Sequence, residues 1–152
     1  MQRPYIYNMN TIRETFYKSE RLCSRKLIDA LFENGNIFYI SLFKVVWDKN
    51  QKSLPGPAQV AFSVSKRGFR LAVTRNLIKR RLREAYRKNK KTLYDHLISQ
   101  NIQIVFVVII RGNSVPEYTT IEKSIRDMIS KLIIFTSQKS EVGSPKNDIT
   151  SV

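Results

Sequence analysis

Seven apolar residues in a row, IVFVVII from Ile104 to Ile110, limit what this chain can fold into more than any other stretch. A membrane-spanning helix takes about 20 apolar residues, so the run is far too short to cross a bilayer. Its β-branched composition favours a strand, and its lack of alternation marks a strand covered on both faces, as in parallel pairing. With 152 residues the chain has room for one domain around such a strand and not for two.

The flanking patterns supply the cover. Ser24 as N-cap, a stripe of Leu27, Ile28 and Leu31, and a stop at Gly35 predict a helix through Asn34. NIFYI and SLFKVVWDK read as strands, with Phe43, Val45 and Trp47 on one face and Lys44 and Val46 on the other. NQKSLPGPA is a loop by its Pro and Gly. Between Gln59 and Ser65 the chain alternates, Val60, Phe62 and Val64 against Ala61, Ser63 and Ser65, and the second set is small enough for another backbone to lie close. A helix is expected from Thr74, its N-cap, to about Lys91. Thr119 and Glu122 have capping-box spacing before a last helix with a stripe of Ile121, Ile125, Met128, Ile129 and Leu132. The order α-β-β-β-α-β-α describes an α/β (α+β) sandwich with a strand–helix–strand crossover around the middle helix. Residues 1–20 are expected to form a loosely ordered leading segment, residues 21–135 a single domain and residues 136–152 a disordered polar tail.

The middle helix carries the functional signal. Lys and Arg number 27 against 12 Asp and Glu, a net charge of +15 that repels itself and calls for a polyanionic partner. Twelve of the basic residues fall between Lys66 and Lys91, where Glu84 is the sole acid. At about 100° per residue, Ile78, Leu82 and Ala85 form the core arc, with Tyr86 and Asn89 at its edges. Asn76, Lys79, Arg80, Arg83, Arg87 and Lys90 share one adjacent sector, with Arg75 at its border. A merely solvated helix interleaves Glu with Lys at i,i+4, and here only Arg80–Glu84 and Glu84–Lys88 have that spacing. Phosphates supply the missing negative charge, and Arg grips them through two hydrogen bonds at once. No helix-turn-helix pair points to duplex DNA, whereas small strand faces, aromatic rings and a basic groove suit single-stranded RNA.

Catalytic residues are scarce. His96 is the one histidine and Cys23 the one cysteine, which leaves no zinc set and no intramolecular disulfide. Asp29, Glu33, Asp48, Glu84, Asp95, Glu117, Glu122 and Asp127 do not cluster as a metal-dependent nuclease requires. The lone cysteine and the absence of an apolar signal stretch near Arg3 lead to the expectation of a cytoplasmic protein without a membrane anchor. Two rivals remain at this point, a non-catalytic structural RNA binder and a stand-alone nuclease.

The stretch FSVSKRGFRLAVTRNLIKRRLREAYR, Phe62 to Arg87, closely resembles the signature of the protein component of bacterial ribonuclease P. RLCSRKLIDALFENG resembles that family's first helix, and IQIVFVVIIRG with its following helix resembles the family's end, so the likeness covers residues 21–135. It implies an α-β-β-β-α-β-α fold with a left-handed crossover, against the usual right-handed rule. It also implies a protein monomer within a ribonucleoprotein, bound to a catalytic RNA subunit and to the 5′ leader of precursor tRNA. In that family the RNA, with Mg²⁺, hydrolyses the phosphodiester. Carried over by position, the RNA-binding residues are Lys66, Arg67, Arg75, Asn76, Lys79, Arg80 and Arg83, to which the helical sector adds Arg87, and the leader groove is Ile28, Phe32, Lys44 and Val46. Leu77 stands where the family usually has a second Arg, and Ile28 and Lys44 stand where it often has ring or apolar side chains.

Overall fold

A computed structural model describes residues 15–50 and 53–137. After a 3₁₀ turn at Lys18–Glu20, helix α1 (Arg25–Asn34) leads into strands β1 (Asn36–Ile40), β2 (Phe43–Lys49) and β3 (Ala58–Ser63). Helix α2 (Ala72–Gln100), strand β4 (Ile104–Ile110) and helix α3 (Tyr118–Ser137) complete the fold. The strands form one sheet in the order β1-β2-β4-β3. β4 is its centre, antiparallel to β2 and parallel to β3, so β3-α2-β4 is the expected strand–helix–strand crossover.

The apolar run is covered on both faces for a visible reason. On one face Ile104, Phe106, Val108 and Ile110 join Phe38, Phe43, Val45, Trp47 and Val60 beneath α2 and α3. On the other, Val105 and Val107 join Val46 beneath Leu22, Leu31 and Leu54. The stripe predicted for the last helix, Ile121, Ile125, Met128, Ile129 and Leu132, is buried throughout. Ser24 caps α1 by accepting from the Leu27 N–H at 3.3 Å. At the other end of α1, a Cβ on Gly35 would stand 2.5 Å from the Leu31 carbonyl oxygen and 2.9 Å from a Val46 methyl, so only glycine lets the helix turn this close to the sheet.

Three boundaries differ from expectation. α2 starts at Ala72, placing Thr74 inside the helix, and Leu71 precedes it without a side-chain cap. It continues to Gln100, where Asn101 adopts a left-handed conformation (φ 55°) and closes it. The polar run after Lys88 hides this continuation, yet Leu93, Tyr94 and Leu97 carry the apolar arc for two more turns. α3 starts at Tyr118, so Thr119 lies within its first turn and not at a capping position. Tyr86, expected at the rim of the arc, is fully buried.

The largest departure concerns Lys90. Its helical sector belongs with the exposed charges, but its side chain is buried against residues 15–20. The ammonium donates to Glu20 Oε1 at 2.6 Å and to the Thr15 carbonyl. The Tyr94 hydroxyl donates to the same Glu20 oxygen, and Glu20 Oε2 accepts from the Tyr17 N–H at 2.8 Å. Burial, then the neighbouring Tyr86 and the Glu20 carboxylate, raise the Tyr94 pKa well above its ordinary value. Phe16 packs edge-on against Tyr86 with centroids 5.7 Å apart, and Leu22 N–H donates to the Val60 carbonyl. Residues 15–22 thus form a strap across the outer edge of β3, where a leading segment was expected to be loose through residue 20. Residues 1–14 and 138–152, which hold the rest of the expected leader and most of the expected tail, lie outside the described residues.

Removing one partner leaves a buried charge unpaired. Lys90→Met should therefore cost about 3 kcal/mol, read as a lower urea midpoint, and adding Glu20→Gln should recover part of the loss.

Candidate nucleic-acid interface

Two cationic regions lie on opposite faces of the sheet, and the loop after β3 joins them. The first follows α2. Asn76, Arg80 and Arg83 are exposed; Arg75, Lys79 and Arg87 are half-buried. This stripe flanks the β3 edge, because Lys90, in the same helical sector, reaches the strap that bridges to Val60. Arg75 turns one guanidinium nitrogen onto the Phe69 and Arg70 carbonyls, both at 2.9 Å, and fastens the loop to the helix. Arg81 looks the other way and donates to the Pro116 carbonyl at 2.9 Å. Glu84 binds Arg87 at 2.6 Å and Lys88 at 3.8 Å, while no ion pair to Arg80 forms. Hydrogen bonding from Arg87 holds the Glu84 carboxyl below its ordinary pKa, so it stays charged and tempers only the far end of the stripe. Leu77, half-buried, adds no charge.

The second region is the sheet face that α1 only partly covers. Cross-strand register puts Ile37, Val46, Val107 and Ala61 in one row and Tyr39, Lys44, Ile109 and Ser63 in the next. α1 packs over the first row, and the second lies open beyond it: Tyr39 and Ser63 are exposed, Lys44 and Ile109 half-buried. Phe32 is 53% exposed on α1, Ile28 is half-buried beside it, and Val46 is 1% exposed beneath Leu31. Of the four residues expected in the groove, Phe32 is exposed and Ile28 and Lys44 are half-buried, whereas Val46 is buried. Arg111, just past β4, sits over the Tyr39 ring with 5.1 Å between guanidinium carbon and centroid. Neither residue was expected at the site; the signal available was Tyr39 standing in NIFYI at the position that shares a face with Lys44.

Lys66 and Arg67, both exposed, occupy the loop between β3 and α2. A Cβ at Gly68 would come within 2.6 Å of the Gly112 carbonyl oxygen, so the loop rests directly on the segment that follows Arg111. The expected RNA-binding residues and the expected groove residues thus occupy two surfaces. The sheet separates stripe from open row, and Lys66, Arg67 and Arg70 mark the passage between them.

Among the described residues, no three His, Cys, Asp or Glu side chains converge to hold a metal ion. No helix there is long and apolar enough to cross a membrane. His96, in the distal half of α2, pairs with Thr136 across the α2–α3 contact at 2.9 Å. Thr136 Oγ1 donates to the Leu132 carbonyl, so His96 Nε2 carries the proton toward it. This packing role lies away from both cationic surfaces.

Fold and surface together define a basic α/β sandwich protein built to present cations on two sides of one sheet. A family model, Ribonuclease P, matches residues 16–133. The ribonuclease P protein component of Porphyromonas gingivalis (strain ATCC 33277) is 32% identical over 115 residues, spanning 76% of this chain and 84% of the relative. That of Chlorobium phaeobacteroides is 30% identical over 135 residues, spanning 82% and 90%. The solved RNase P protein from Thermotoga maritima shares the fold with a TM-score of 0.59 at 22% identity, over 74% of this chain and 96% of that one. The Staphylococcus aureus RNase P protein does so with a TM-score of 0.57 at 21% identity, over 76% and 95%. The chain belongs to the ribonuclease P protein family.

Desolvation lowers the His96 pKa from its ordinary 6.5. The unfolded chain then takes up this proton first on acidification. The contribution is intact above the unfolded value and is lost as pH falls through 6.5 toward the folded one. Urea midpoints from about pH 7.5 to about pH 5 should decline less in His96→Gln than in the parent.

Proposed function

We propose that this chain is the protein subunit of ribonuclease P, binding the catalytic RNA and the 5′ leader of precursor tRNA and so assisting removal of the leader by endonucleolytic cleavage. The observation that carries the reading is the division of cations between two faces, together with family membership. The α2 stripe suits the phosphates of a folded RNA, since Arg80 and Arg83 project from a rigid helix at a fixed spacing. The open row suits a single strand, with Lys44 for phosphate and exposed apolar and aromatic side chains for bases. Lys66 and Arg67 lie where an RNA passing between the faces would run.

The chemistry belongs to the RNA subunit in this reading. Mg²⁺ bound there supplies charge stabilisation for phosphodiester hydrolysis, and among the described residues of this chain no group of carboxylates converges to hold the ion. The protein's part is affinity and placement: neutralised phosphates release counterions, and a held leader fixes the substrate relative to the RNA active site. One protein copy in a cytoplasmic ribonucleoprotein completes the proposal.

Reconstitution with the cognate RNA tests it: the protein should increase precursor tRNA cleavage at limiting substrate and should cleave nothing alone. Arg80→Glu with Arg83→Glu should weaken binding to the catalytic RNA at least tenfold and lower the slope of log affinity against log salt by about two. Lys44→Glu should weaken binding of leader-bearing precursor and leave mature tRNA unchanged, as read by equilibrium binding to the assembled holoenzyme.

A further inference from the structure

We infer that Tyr39, backed by Arg111, forms a stacking site for one unpaired base of the leader at the edge strand, beyond the groove between α1 and β2. The inference rests on the leader reading above and adds to it a specific contact. Tyr39 is 57% exposed, although a tyrosine inside a five-residue strand could have packed against a neighbour. Its row partners are Lys44, Ile109 and Ser63, none of which carries a ring to stack on it. Arg111 stands over the ring instead, held at its backbone by donation from its N–H to the Leu42 carbonyl at 2.8 Å.

This geometry serves a base better than it serves the fold. A guanidinium on an aromatic ring makes a flat, cationic, solvent-facing surface, and a base can stack on either free face while its phosphate meets Arg111 or Lys44. The groove itself has little to stack with. Ile28 is aliphatic, Lys44 has no ring and Val46 is buried, so among its expected residues Phe32 alone offers an aromatic face. Phe32 lies on α1 and Tyr39 on β1, on the same side of the sheet, and the exposed Ile37 stands between them in sequence. A strand of RNA crossing the open row would meet two rings separated by an aliphatic patch, with Lys44 and Arg111 beside the second. A protein partner would be a poor fit, because the flanking surface carries cations against which an ordinary protein surface has no matching density of anions.

The test uses the reconstituted holoenzyme with precursor tRNAs whose leaders are extended one nucleotide at a time. Tyr39→Ala should weaken binding roughly tenfold, within the range of a single stacked base, only once the leader is long enough to reach the ring. Tyr39→Phe should bind as the parent does, which separates the ring from the hydroxyl, and Arg111→Ala should show the same length threshold as Tyr39→Ala. An abasic nucleotide at one leader position should reproduce the loss in the parent and add nothing to Tyr39→Ala. If Tyr39→Ala binds every leader as the parent does while Lys44→Glu remains leader-dependent, the stacking site is wrong and the leader reading stands. Should neither variant depend on the leader, the leader reading itself falls. An equal loss for mature tRNA, or for the catalytic RNA alone, would place the ring against a different RNA and overturn the proposal.

Discussion

Burial of β4 on both faces is the constraint from which the rest of the architecture follows. A strand buried at every position but Ile109 belongs inside the sheet, and β2 and β3 flank it with helices above and below. The long helices α2 and α3 cover most of one face. The other receives only the ten-residue α1, which covers the row through Val46 and Val107 and stops short of the next. The open row is thus the remainder left by unequal cover.

Electrostatics follows the same division. The stripe on α2 has little internal compensation, because Glu84, the one acid between Lys66 and Lys91, is committed to Arg87 and Lys88. Such a surface is destabilising in isolation and favourable against phosphate, which makes charge here a statement about partners and not about the fold. Lys90 shows the contrast within a single helical sector. Where the strap crosses α2, the same residue type becomes a buried ion-pair partner and contributes to holding the chain together.

Much of this was legible in the residues. The strand pattern, the faces of Phe43, Val45 and Trp47, the Ser24 cap and the stripe of the last helix all follow from local periodicity, which short-range physics enforces. The ends of α2 were not, since KNKKTLYDH breaks no helix rule and announces no continuation; only the later burial of Leu93 and Leu97 explains it. Lys90 misled because a helical wheel knows nothing of a strap arriving from 70 residues away. The division of site residues between two faces was equally hidden, because position in a motif says which residues act and not which side of a sheet they occupy. Tyr39 and Arg111 meet only through strand register, which a single sequence does not specify.

The strap has a further consequence for how copies of the protein behave toward each other. By lying along β3 it blunts one margin of the sheet, so among the described residues β1, with its apolar NIFYI sequence, is the margin without a strand partner. Unpaired strands of that composition are templates for edge-to-edge aggregation. At +15, like-charge repulsion keeps such margins apart. Colloidal stability in this chain therefore rests on its surplus of positive charge, a safeguard that partial neutralisation by short anionic chains removes.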